Sequence, residues 1–387
     1  MGYRADQREP VDFGPFTEVA PPRIASARSY SRRQTRPIRV GKVPVGGNAP
    51  ISVQSMTKTD TRDAQATVDQ IWALEAAGCE IVRVAVPDAD AAAAIGGIRS
   101  QIRIPLIVDI HFDYRLALRC LEDGVDCLRI NPGNIGATWR VREVTRAAAE
   151  RKVPIRIGVN AGSLEKHLLQ RFGEPTPEAL VESALFHIRI LEELNYPEMK
   201  ISLKSSDPRM MIEAYRLLAD MVPYPFHLGV TEAGTAFTGA IKSAVGIGTL
   251  LAEGIGDTIR VSLTEDPTEE IRAGFEILKA LGLRKRGLNI IACPSCGRVE
   301  IDLVGLTKEV EKRLEALNIQ RTLNVAVMGC AVNGPGEARG ADVGIAGGHG
   351  VGILIKQGQI VRKVKESELA DVLVEEVQRL AAQGAEE

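Results

Sequence analysis

Residues 105–112 read PLIVDIHF. A short β-branched run follows a proline and ends in an acid and a histidine two positions apart. The form recurs in ISVQSM (51–56), EIVRVAV (80–86), CLRINPG (127–133) and IRIGVN (155–160), then in KISLKSS (200–206), FHLGVTE (226–232) and TIRVSLT (258–264). Amphipathic stretches separate the runs. In residues 67–77, for example, Val68, Ile71, Trp72 and Leu74 share one face and Gly78 supplies a stop. Eight strand–helix units within about 235 residues predict a (β/α)8 barrel of the TIM type, whose usual size is about 250. A doubly wound open sheet is the alternative that the same alternation allows. The count of eight favours the barrel. So do the polar residues near the strands' C-terminal ends, where barrel sites assemble.

After LGLRKRG (281–287) the rhythm breaks. LNIIAC reads as a strand, a helix is expected over about 304–317, and NVAVMGC (324–330) is a second strand. The Gly-punctuated strands ADVGIAGG and GVGILIKQG follow, then a helix with Leu369, Val372, Leu373, Val377 and Leu380 on one face. This is a smaller α+β domain. The expected divisions are a mostly disordered tail (1–38), the barrel (39–285) and the second domain (286–387).

The chain has 387 residues, is 45% hydrophobic and carries a formal net charge of −2, which argues against a dominant polyanion-binding surface. Aromatics at 4% do not suit a platform for stacking nucleic-acid bases. Six cysteines are too sparse for a disulfide framework. No apolar run reaches the roughly 18–20 residues of a membrane span, and the N-terminus lacks a secretory apolar segment. A cytoplasmic enzyme with reduced thiols is expected, with no membrane or nucleic-acid partner. The Arg-Ser-rich tail is the one segment that could touch nucleic acid or serve as a transit sequence.

Strand periodicity sends residues i and i+2 to the same side. It pairs Asp109 with His111, Arg129 with Asn131, Arg156 with Asn160 across Gly158, and Arg260 with Ser262. Gln54, Arg83, Lys204 and Glu232 add one group each. If these face inward, five cations (Arg83, Arg129, Arg156, Lys204 and Arg260) meet one cavity, with Asp109 and Glu232 the two obvious acids nearby. Such a cluster calls for a small, multiply charged anion, since Arg forks match phosphate oxygens. His167, His187 and His227 read as structural, and Cys79, Cys120 and Cys127 as buried and inert.

ACPSCGR (292–298) poses a separate question. Cys293 and Cys296 offer two thiolates, and Cys330, before the turn-rich AVNGPGE, offers a third. His349 in GGHG would complete a structural zinc site. Water or substrate would leave an open position. Glu337, seven residues past Cys330, would instead suit an iron–sulfur cluster with one exchangeable oxygen ligand. Residue chemistry alone leaves these alternatives open. A zinc-stapled barrel acting on a sugar phosphate as lyase or isomerase is the rival reading.

Taken together, PISVQSMT, IVRVAVP, VDIHF, LRINPGNIG, RIGVNAGSLE, GVTEAG, GIGDTIRVSLT, ACPSCGR and VAVMGCAVNGPGEA closely resemble the 4-hydroxy-3-methylbut-2-enyl diphosphate synthases, in order, from about residue 38 to 380. The resemblance implies a (β/α)8 barrel followed by a cluster domain related to that of sulfite and nitrite reductases. It implies one [4Fe–4S] cluster per chain, held by Cys293, Cys296, Cys330 and Glu337. The implied reaction is the two-electron ring opening and dehydroxylation of 2-C-methyl-D-erythritol 2,4-cyclodiphosphate in isoprenoid biosynthesis. Electrons would come from reduced flavodoxin or ferredoxin, in a head-to-tail homodimer. Glu232 is the expected acid/base, with Asp109 or His111 as substitutes, and Glu337 is expected to act in catalysis as well as in ligation.

Overall fold

The computed structural model describes residues 31–383 apart from 318, 320, 331, 332 and 349. The expectations for the tail before residue 31 and for His349 as a ligand lie outside the described residues.

Strands β1 (Ile38–Val40) and β2 (Val43–Val45) form an antiparallel hairpin. Eight parallel strands follow: β3 (Ser52–Met56), β4 (Ile81–Ala85), β5 (Leu106–Ile110), β6 (Cys127–Ile130), β7 (Ile155–Asn160), β8 (Met199–Lys204), β9 (His227–Leu228) and β10 (Thr258–Ile259). Strand β3 pairs with both β4 and β10, which rules out the open-sheet alternative. The seam between β8 and β9 is a single bridge, Ile201 to Phe226. Following the registers once around the barrel from Ser52 leads back to β3 at Asp60. That displacement is the stagger of a (β/α)8 barrel.

Carboxylates set the helix starts. Asp63, Asp88, Asp113, Asp207 and Asp266 each accept a backbone N–H from the first turn of the helix that follows, a cap that stabilises by about 1 kcal/mol. The helices cover the strands with a shell of buried Ile, Leu and Val.

The hairpin was not expected from the sequence. It closes the barrel floor, packing Ile38, Val40 and Val45 on Ile81, Ile107 and Cys127 at the strand entries. Residues 31–37, expected in the tail, are bound to the barrel instead. Arg32 pairs with buried Asp257 at 3.0 Å, Thr35 donates to the same carboxylate, and Arg33 lies over the Phe226 ring. These contacts are tertiary and leave no periodicity to read.

The second domain has one five-stranded sheet in the order β11 (Leu288–Ala292), β12 (Leu323–Met328), β13 (Val343–Ala346), β14 (Val351–Lys356), β15 (Gln359–Lys365). The first three strands are parallel and the last two pairings antiparallel. Helices Leu303–Ala316 and Leu369–Gln383 pack on it. Strand β15 was missed because it is a mostly exposed edge of Arg, Lys and Gln with little apolar alternation.

Candidate functional site

A barrel of this stagger packs its interior in layers of four side chains from alternate strands. Here Gln54, Arg156 and His227 join Ile107 in one layer, Arg83, Arg129, Ser202 and Arg260 form the next, and Met56, Asp109, Gly158 and Gly229 lie above. Most barrels fill these positions with branched apolar residues. Here Arg83, Arg129, Arg156, Arg260 and Asp109 put charge into them.

Arg83, Arg129, Arg156 and Lys204 are buried, and Arg260 is nearly so. Asp109 is their buried counter-ion, 2.9 Å from Arg129, 3.7 Å from Arg83 and 3.4 Å from His111. Burial alone would raise its pKa, but the two guanidinium groups and the His111 hydrogen bond outweigh it and hold Asp109 well below the usual carboxylate range. Asp109 thus serves the guanidinium groups as their shared anion. Burial and neighbouring arginines push Arg83 and Lys204 well below their ordinary values, and Arg156 down to about 10.

The second interior acid is Glu270, not Glu232. Glu270 is buried on helix Pro267–Ala280, binds Arg260 at 3.0 and 3.2 Å and accepts from Ser55 at 2.8 Å. Its sequence signal was a glutamate on the apolar face shared with Ile271, Gly274 and Leu278. Glu232 is exposed on the loop after β9, in the left-handed region at φ 52°. His111, Asn160 and Ser262 are half-buried, while Asn131 is buried and bonds Ser163 at 3.0 Å. Gln54 is fully buried with neither amide atom partnered. Lys200 and His227 also face the interior. Lys200 shares its parity with Lys204, so its place was legible. His187 is buried against Ser183 and His167 is exposed on an outer helix, neither in the mouth.

Two glycines make room for the cations. A Cβ on Gly158 would sit 2.2 Å from Arg129 Nε, and one on Gly229 would sit 2.9 Å from Lys204 Nζ. Arg129 is pinned to Asp109 and to the Gly158 carbonyl at 2.8 Å, so it has little freedom to yield. Gly158→Ala is expected to lower kcat/KM by roughly tenfold to a hundredfold through misplacement of Arg129. Steady-state kinetics check this, with circular dichroism showing that the fold is kept.

At the other site, parallel neighbours β11 and β12 bring Cys293 and Cys330 to one sheet edge, where Cys293 Sγ accepts the Gly329 N–H at 3.3 Å. Cys330 is buried, Cys293 half-buried and Cys296 exposed. Ser295 between the paired cysteines takes a left-handed φ of 53°. Glu337 ends the short helix Gly334–Glu337 and is exposed. Among the described residues no three His, Cys, Asp or Glu side chains close tightly enough to grip a single metal ion. The donor set, three thiols and a carboxylate beside a backbone N–H aimed at sulfur, fits in kind a larger group whose ligands stand further apart. Cys79 and Cys120 are buried, with pKa values pushed up to about 12 by desolvation, and Cys127 is raised likewise. They are inert.

Residues 35–275 match the family model described as the GcpE TIM-barrel domain, and residues 289–379 that described as the GcpE protein C-terminal domain. The chain is 65% identical over 352 residues to a 4-hydroxy-3-methylbut-2-en-1-yl diphosphate synthase (flavodoxin) of Geobacter sulfurreducens, covering 91% of this chain and 99% of the relative. A protein of the same name from Symbiobacterium thermophilum is 62% identical, covering 91% and 95%. One from Clostridium perfringens is 57% identical, covering 90% and 100%. No helix among the described residues is long and apolar enough to cross a membrane.

Proposed function

Because the chain belongs to the GcpE family, we propose that it is an oxidoreductase of isoprenoid biosynthesis. It converts 2-C-methyl-D-erythritol 2,4-cyclodiphosphate to 4-hydroxy-3-methylbut-2-enyl diphosphate, taking two electrons from reduced flavodoxin, the donor that the relatives' names carry. The observation that bears most weight is the barrel interior below the mouth, where buried cations outnumber carboxylates and Arg156 keeps Nε and one terminal nitrogen without a partner. A dianionic ligand supplies the missing charge.

In this reading Arg83, Arg129, Arg156, Lys204 and Arg260 hold the diphosphate, with Gln54, Asn131, Asn160 and Ser262 orienting it. Their fixed charge lowers the cost of the additional phosphate charge that ring opening exposes. Asp109 and Glu270 keep Arg129 and Arg260 in place. Glu232 on the loop after β9 and His111 after β5 are the groups at the mouth able to pass the proton that accompanies loss of hydroxide as water. Cys293, Cys296, Cys330 and Glu337 would hold a [4Fe–4S] cluster. When bound, that cluster supplies the two electrons one at a time.

The head-to-tail homodimer is supported by where the second domain is attached. Arg284, in the linker, bonds the Ile51 carbonyl and Glu80, and Arg286 bonds the Gly78 carbonyl, all at the floor end of the barrel. A cysteine site hung from the floor meets a barrel mouth most directly on a second chain, head to tail. Thiols kept free to hold a cluster suit a reducing compartment, which supports a cytoplasmic location. Protein purified without oxygen is expected to be brown, to contain iron and sulfide for one cluster, and to turn over the cyclic diphosphate with reduced flavodoxin. A colourless, zinc-containing protein without turnover overturns the proposal.

A further inference from the structure

The substrate site uses Lys204 and leaves unexplained Lys200, four residues earlier on the same face of β8. Lys200 is completely buried and its Nζ has no hydrogen-bond partner. The charged and titratable groups around it come from every neighbouring strand. Arg156 is its register partner on β7, with Cys127 on β6, Arg83 on β4, His227 on β9 and Lys204 on its own strand. The other interior neighbours, Gln54, Ser202 and Thr258, are neutral. The three buried carboxylates among the described residues are committed elsewhere, Asp109 to Arg83, Arg129 and His111, Glu270 to Arg260 and Ser55, and Asp257 to Arg32, Thr35 and the Phe226 N–H. Arg39 and Lys42 of the floor hairpin are exposed. Gln54, Ser202 and His227 each leave a buried polar atom unpartnered in the same layers.

An ammonium here has no compensating charge. Desolvation, followed by repulsion from Arg156 and Arg83, brings Lys200 down to about 8. Cys127 would offset this only as a thiolate, and burial raises that thiol.

Resting on the reading above, we propose that capture of the dianionic cyclic diphosphate at the barrel mouth draws a proton onto Lys200, which then serves as a remote positioning cation beneath Arg156. The dianion provides the negative charge that this stack of cations lacks, so the charged form of Lys200 is favoured once the ligand is in place. Opening the ring adds one ionisable oxygen to the terminal phosphate. A proton already stored on Lys200 favours that added charge, so the same device acts on binding and on ring opening.

The test is calorimetric titration of anaerobically prepared holoenzyme with the cyclic diphosphate, without reductant, in buffers of different ionisation enthalpy. Each phosphate of this ligand carries one strongly acidic proton, so any proton linkage between pH 6.5 and 8.5 belongs to the protein. Uptake assigned to Lys200 is expected to rise from close to zero at pH 6.5 toward one proton per site as the pH passes 8. Lys200→Met and Lys200→Arg are both expected to lose that share. Lys204, present in all three proteins, contributes equally to each. Buffer-independent heat in the wild type at pH 8.5, or full uptake in both variants, overturns the proposal. If neither variant folds, the wild-type profile decides, because uptake that is flat or falls between pH 6.5 and 8.5 also overturns it. Adding reductant and flavodoxin to the same samples scores the parent reading separately, since absence of turnover sinks the reaction whatever the proton count.

Discussion

Cys330→Ser is expected to give a folded, colourless protein with at most about one-hundredth of wild-type turnover. Cys330 is buried, two residues past the end of β12, where the Gly329 amide bonds Cys293 Sγ. Serine fits the same space, and strands β11 to β13 hold their register through backbone bonds that the change leaves alone. What is lost is the soft thiolate. A hydroxyl is a harder and far weaker acid than a thiol, so it neither ionises readily nor suits iron–sulfur coordination. Even loss of an outer-shell partner costs 10- to 100-fold in metal affinity or activity, and removing a ligand exceeds that range. Visible absorption, iron content and turnover of oxygen-free protein check this together, with circular dichroism for the fold. Cys120→Ser is the control, because that thiol is buried among barrel helices, with its pKa pushed up to about 12 by burial. A brown, active Cys330→Ser protein would remove Cys330 from the ligand set.

What could be read in advance divides by the range of the forces involved. Strand and helix alternation is local, so the eight barrel strands were legible, and with them the inward parity of Arg83, Asp109, Arg129 and Arg156. The pairing of two cysteines at the ends of β11 and β12 was legible for the same reason, since both runs end in a cysteine. Glu270 was not, because its partner Arg260 lies in a different element and only folding turns an acid on an apolar helix face into a counter-ion. Residues 31–37 were taken for tail because Arg32, Arg33 and Thr35 find their partners some 190 to 220 residues away in sequence. Asp109 was placed in the mouth, while its part, proton transfer or a satisfied strand pair, was left open. Parity located the carboxyl in the mouth, while the ring of cations that keeps it ionised required three other strands to be in register.

That ring makes Asp109→Asn the most severe single change expected in the barrel. The amide keeps the shape and removes the charge that Arg129 at 2.9 Å and Arg83 at 3.7 Å share. Breaking a buried pair by deleting one partner costs about 3–5 kcal/mol, because the remaining charge is left uncompensated. Here two guanidinium groups are left in that state. A loss of this size corresponds to a fall in melting temperature of roughly 5–10 °C. The sign with pH follows from the depressed pKa of Asp109. A carboxyl whose folded pKa lies below its unfolded value stabilises the fold above the ordinary carboxylate range, and that stability is lost as pH falls toward the depressed value. The gap between wild type and variant is therefore expected to be constant from about pH 5 to 8 and to close only in stronger acid. The cyclic diphosphate should narrow the gap, since its charge compensates the same arginines. Thermal unfolding across that pH range, with and without the ligand, measures all three effects. A variant that melts with the wild type but loses kcat, with a shifted pH profile, would instead identify Asp109 as a proton donor. That result would require a neutral carboxyl 2.9 Å from a guanidinium with no other acid to balance it, which is why the fixed-anion reading is the one the geometry supports.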